Sequence, residues 1–146
     1  FDRWAAGDTA ALSPAARRGA ELFLGGKGDC WHCHAPPLFT NSDFHNIGLD
    51  PVPRDLGRAL VTGRSSDEGK FKTPTLRNVW ATAPYMHDGR FASLEEVVEH
   101  YNGGGHPTPN RDPLLRPLGL THHEMQDLVA FLEALTDHAF LSEPNP

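Results

Sequence analysis

Cys30-Trp31-His32-Cys33-His34 places two thiols and an imidazole within five consecutive positions. Two thiols at this spacing can add to the two vinyl groups along one edge of a porphyrin. The histidine directly after the second thiol then lies beneath the ring and offers a nitrogen to the iron. The pattern is C-x-x-C-H, the attachment sequence of a c-type haem. These are the only two cysteines in the chain, so the motif accounts for all of its thiol chemistry. Other uses of the pair fit less well. Zinc needs about four ligands; His45 and a further histidine would have to complete the set, and no second paired-ligand motif follows. A thioredoxin-like dithiol needs a βαβ setting, and nothing here alternates strands with helices. A Cys30–Cys33 disulfide would close a very small loop and add little stability.

The composition agrees with a fold wrapped around something other than its own side chains. The 146 residues suit one domain, and 38% are hydrophobic, beside 14 glycines and 13 prolines. A net charge of −6 disfavours nucleic acid as a partner. No run of about eighteen apolar residues is present, so no membrane span is expected. The opening Phe1-Asp2-Arg3-Trp4 does not read as a signal peptide. Because haem attachment of this kind belongs to exported proteins, the expected compartment is a bacterial periplasm.

Three amphipathic helices must position the motif. Ser13-Pro14 is an N-cap followed by proline at the first helical position. That helix carries Ala15, Ala16, Ala20 and Phe23, stops at Gly25-Gly26 and delivers the chain to Cys30. Ser93 and Glu96 form a capping box, and Leu94, Val97, Val98 and Tyr101 fall on one face before Gly103-Gly104-Gly105. Thr121 and Glu124 form a second box, ahead of a stripe of Met125, Leu128, Val129, Leu132 and Leu135. Between the first and second helices, from about Ala35 to Ala92, the sequence is irregular, with room for two-residue strand ladders. Loops this long are usually functional or ordered by a ligand. The expected fold is mainly α: a cytochrome c-like helical domain wrapped around one covalently bound haem, with long ordered loops.

The middle segment is more specific. Phe71-Lys72-Thr73-Pro74-Thr75-Leu76-Arg77-Asn78, then Thr82-Ala83-Pro84-Tyr85-Met86-His87-Asp88-Gly89, resembles the bacterial di-haem cytochrome c peroxidases and their MauG-type relatives. So do Phe44-His45-Asn46-Ile47-Gly48 and Leu94-Glu95-Glu96-Val97-Val98. The similarity covers nearly the whole chain and maps it to the family's C-terminal haem domain. Residues 1–12 look like the segment between the two domains, 13–141 like the haem domain, and 142–146 like a tail. The resemblance implies a haem that relays or stores electrons for peroxide-dependent oxidation at a second haem, which a partner domain would carry. The alternative is a stand-alone mono-haem cytochrome that carries electrons, meeting a redox partner protein without catalysis of its own.

His34 is the expected proximal ligand, with Cys30 and Cys33 as the attachment points. In the family the distal ligand lies nineteen positions after the threonine of the Thr-x-Pro step, as Met in some members and Tyr in MauG-type proteins. Counted from Thr82, that position is Tyr101. Tyr101 also ends the apolar face of the second helix; the alternative is an ordinary core tyrosine with its hydroxyl hydrogen-bonded. Met86 is the runner-up, since thioether ligation is common in c-type cytochromes. His87 and His100 come behind it, and Met125 reads as core. Tyrosine in place of methionine implies a low haem potential. The resemblance makes Thr82 and Pro84 calcium ligands through their backbone carbonyls, against a plain turn before Tyr85. Arg77, with Asn78, is read at a haem propionate or in a loop salt bridge, and Phe44 and His45 at the haem edge. Trp4 and Trp31 are either electron conduits or packing, and His122 and His123 are solvated.

Overall fold

Two helices cross where one of them has no side chain. In the computed structural model, which describes residues 1–142, α2 (Pro14–Leu24) packs against α5 (His122–Glu133). Before them comes α1 (Asp2–Ala5). At the crossing, a Cβ on Gly19 would overlap the backbone carbonyl of Asp127 and come within 2.8 Å of the Phe131 Cβ. Only glycine lets the two backbones approach this closely. The crossing is also pinned in its polar part. Arg18 donates from Nε and Nη2 to the Asp127 carboxylate at 2.8 and 2.7 Å. That guanidinium holds the Asp127 carboxyl below its ordinary value of 3.8.

Both ends of α2 agree with its sequence. The Ser13 hydroxyl accepts from the Ala16 N–H, and Pro14 takes the first position. Its buried face is Ala16, Gly19, Ala20 and Phe23. Phe23, Phe39 and Phe131 meet at tilted and edge-to-face angles, and Phe1 adds its ring 4.9 Å from that of Phe39. Residues 1–5 therefore lie on the aromatic core, with Trp4 packed against it as well.

The second predicted helix is α4 (Leu94–Gly103), preceded by the short α3 (Ala59–Thr62). Both halves of the Ser93–Glu96 capping box form. Gly104 ends the helix at φ 79°, a left-handed conformation that glycine adopts at no steric cost. The Thr121–Glu124 box forms likewise at α5. Leu135, placed at the end of that helix's stripe, lies just past it in a turn and is still buried. His123 is exposed and reaches Asp127 at 3.2 Å. The last helix, α6 (His138–Ser142), runs one residue past the boundary expected at 141; the remaining tail residues 143–146 lie outside the described residues.

The irregular middle carries one two-residue ladder, β1 (Phe44–His45) antiparallel to β2 (Phe71–Lys72), with His45 opposite Phe71. The remainder of that stretch is turns, the short α3 and single-turn 3₁₀ segments; Cys30–His32, ahead of it, forms another such 3₁₀ turn. Among the described residues no helix is long and apolar enough to cross a membrane.

Candidate haem site

The helices and the irregular middle together enclose a cavity of about 470 Å³, with a predominantly apolar lining. Such a volume is ample for a large organic cofactor. Cys30, Cys33 and His34 reach it from the end of α2, Tyr101 from α4, and Leu128 and Leu132 from α5.

Both cysteines are free thiols. The Cys30 sulfur donates to the Gly28 carbonyl at 3.3 Å, and burial pushes its pKa up to about 12. Burial also raises Cys33, followed by the charge of Asp112. Among the described residues no group of three or more His, Cys, Asp or Glu lies close enough together to hold a metal ion.

His34 is held in one tautomer. Its Nδ1 lies 2.9 Å from the Phe39 carbonyl, and a carbonyl only accepts, so Nδ1 carries the proton and Nε2 keeps its lone pair. Burial lowers the His34 pKa below 6.5, which favours the neutral form that binds metals. Such a bond from the outer nitrogen is the usual way to orient a metal-ligating histidine. Phe39 presents this carbonyl from a left-handed conformation at φ 52°, rare for a residue with a large side chain.

Tyr101 and Met86 both line the cavity. Burial raises the Tyr101 hydroxyl above its ordinary value of 10.0; the two cysteines add to the shift, and no hydrogen bond is among its causes. The hydrogen-bonded core tyrosine is instead Tyr85, whose hydroxyl donates to the Trp80 carbonyl at 3.4 Å. Met86 has the left-handed φ of 71°. His87 stacks on Phe71 with ring centroids 3.6 Å apart and also lines the cavity. His100 is directed elsewhere, with Nε2 2.9 Å from the Ile47 carbonyl.

Two expected cofactor contacts lie outside the lining. Arg77 spends its guanidinium on a bidentate pair with Asp2, at 2.8 Å for each bond, and on the Pro37 carbonyl. The salt-bridge reading of Arg77 is therefore the one its geometry meets. Phe44 sits under Arg58, whose guanidinium carbon is 4.2 Å from the ring centroid. Strand alternation explains Phe44: its neighbour His45 takes the cavity side, so Phe44 takes the other. Thr82 and Pro84 both line the cavity, and the Thr82 hydroxyl donates to Val79. Trp31 is exposed and stacks on His32.

The sequence reading missed Arg90. It donates to both oxygens of Asp50, to Asp88 and to the Leu49 carbonyl. This joins the loop around Leu49 and Asp50 to the turn that bears Met86 and His87, and both segments line the cavity. A D-x-R pattern next to a glycine carries no signal of a partner forty positions away.

A C-x-x-C-H turn at the end of one of two crossed helices, opening on a large apolar cavity with an oriented histidine, defines a cytochrome c-like domain. The signature of the RoxA-like, cytochrome c-like family matches residues 70–102. A cytochrome-c peroxidase of Denitromonas iodatirespirans is 43% identical, over 93% of this chain and 44% of that protein. The methylamine utilization protein MauG of Methylorubrum extorquens is 44% identical, over 92% of this chain and 38% of its own length. A crystal structure of a MauG-like protein associated with microbial copper homeostasis superposes with a TM-score of 0.86 at 35% identity, covering 94% of this chain and 51% of that one. The chain belongs to the di-haem cytochrome c peroxidase and MauG family and corresponds to its C-terminal domain. It spans less than half the length of these curated relatives.

Proposed function

We propose that this chain is the electron-transfer domain of a di-haem, peroxide-dependent oxidoreductase, and that it holds one haem c through Cys30 and Cys33. The observation that carries this is the convergence of Cys30, Cys33 and His34, whose Nδ1 is held by the Phe39 carbonyl, on one apolar cavity of about 470 Å³, in a chain that matches half of such proteins. When bound, the haem supplies a one-electron iron couple. The chain's own residues do the rest. Phe39 fixes the His34 ring, the α4 and α5 side chains exclude water, and Arg90 holds two loops of the lining together. Tyr101 is the distal ligand in this reading, with Met86 as runner-up. The helical stripe aims Tyr101 at the cavity, and no hydrogen bond competes for its hydroxyl. Thr82 and Pro84 offer backbone carbonyls to a calcium ion shared with a second haem domain. An exported, periplasmic protein fits this chemistry.

Intact mass and haem count of the polypeptide from its native source test the assignment. Two haems on a chain about twice this length are expected. One haem on a chain of this size would leave a mono-haem electron carrier instead. The distal ligand has its own test. Tyr101→Phe is expected to change the ferric absorption spectrum and raise the midpoint potential, because a phenolate stabilises ferric iron. An unchanged spectrum and potential would assign the position to Met86 or to no protein ligand.

A further inference from the structure

His45 and Asp112 lie side by side in the cavity lining. The His45 Nδ1 is 2.6 Å from an Asp112 oxygen, and each side chain is only 18% exposed. Hydrogen-bond polarity settles the state of the pair. The Asp43 N–H donates to the Asn41 Oδ1 at 2.9 Å, which identifies the oxygen of that amide. The Asn41 Nδ2 therefore faces the His45 Nε2, at 3.1 Å. An amide NH₂ can only donate, so Nε2 accepts and Nδ1 carries the single ring proton toward Asp112. The His45 imidazole thus donates to the Asp112 carboxylate.

Among the described residues no Lys or Arg pairs with that carboxylate. The other oxygen of Asp112 accepts the Leu114 N–H at 2.9 Å. The neighbouring bases are turned to other partners: Arg111 to the carbonyls of Gly104 and Gly105, Lys72 to the Thr73 carbonyl, and Arg116 to Gly26 and Asp29. Asn41 also ties the group to the attachment loop, since its backbone N–H donates to the Cys33 carbonyl at 2.7 Å. Asp112 and Cys33 both line the cavity, whereas Asp43 is exposed and lies outside the lining.

We propose that Asp112, held in place by His45 and Asn41, is a fixed negative charge that lowers the potential of the haem. The proposal rests on the haem reading above. A fixed anion beside the ring favours ferric over ferrous iron, and in a partly buried site salt screens it little. His45 is a positioning residue: it keeps the carboxylate against the cavity without neutralising it.

The test is a spectroelectrochemical titration of the haem-loaded protein. Asp112→Asn keeps the shape and one acceptor oxygen, which can serve His45 or the Leu114 N–H but not both, and removes the charge. The ferrous-to-ferric ratio at a fixed applied potential is expected to rise about tenfold, which is about 59 mV for a one-electron couple. The ferric ligand spectrum should stay as in the wild type. Asp43→Asn, which removes an exposed carboxylate outside the cavity lining, should shift the ratio much less. An unmoved midpoint in Asp112→Asn, or an equal shift in Asp43→Asn, would overturn the proposal. Should Asp112→Asn not retain haem, His45→Gln is read instead: it frees the carboxylate to turn to water, and its midpoint must also rise. If the wild-type chain carries no haem mass, the haem reading itself fails. Haem with an unmoved midpoint defeats only the role of Asp112.

Discussion

The Cys30→Ser, Cys33→Ser double variant is expected to carry no covalently bound haem. After denaturation and acid–organic extraction, all colour should leave the polypeptide, and its intact mass should equal that of the bare chain. The wild type should keep one haem through the same treatment. Each single variant should retain the ring by one thioether. The effect should extend to folding. An apolar space of about 470 Å³, left without a ring, takes packing from the side chains that line it. The double variant is therefore expected to be less stable than the haem-loaded wild type. Circular dichroism should show less helix than in the haem-loaded wild type. A double variant that retained both full helicity and a covalent haem would remove the basis for the cofactor assignment.

Gly19→Val is expected to be the most damaging single substitution on α2. The added Cβ meets the Asp127 backbone, which cannot swing aside as a side-chain tip can. The two helices must part or tilt, which breaks the Phe23–Phe131 contact and the Arg18–Asp127 pair together. A loss of about 3 kcal/mol or more is expected, a fall in Tm on the order of 10 °C for a domain of this size. Gly26→Ala is the control: a Cβ there has no neighbour within 4 Å, so its effect should stay within about 0.5 kcal/mol. Thermal denaturation of the two haem-loaded variants side by side makes the comparison. Equal Tm values would mean that the close crossing does not carry the stability assigned to it.

Much of this molecule could be read from local sequence. Caps and periodicity are short-range signals, so Ser13, Ser93 and Thr121 marked the starts of three helices and Gly104 the end of one. Five adjacent residues marked the attachment loop. The contacts that escaped the reading are those that only the tertiary fold brings together. Arg77 suggested a propionate because nothing in its neighbourhood points to Asp2, 75 positions away. Phe44 suggested the cavity because a two-residue strand has too short an alternation to show which of Phe44 and His45 turns inward. Asp112 sits in a loop of turn residues, 67 positions from His45, with no periodicity to mark it. Gly19 carries no signal of its role within its own helix, because the backbone that requires it belongs to another helix.

Phe39 joins two parts of the molecule that are far apart in the chain. Its carbonyl accepts the proton that orients His34, while its ring is met by the Phe1 ring and, at 5.7 Å, by the Arg77 guanidinium that Asp2 holds. Whatever displaces residues 1–5 therefore acts on the support of the presumptive iron ligand. Such coupling runs equally in both directions. By whatever free energy the seating of α1 shifts the balance between the two oxidation states, a change of oxidation state shifts the seating of α1.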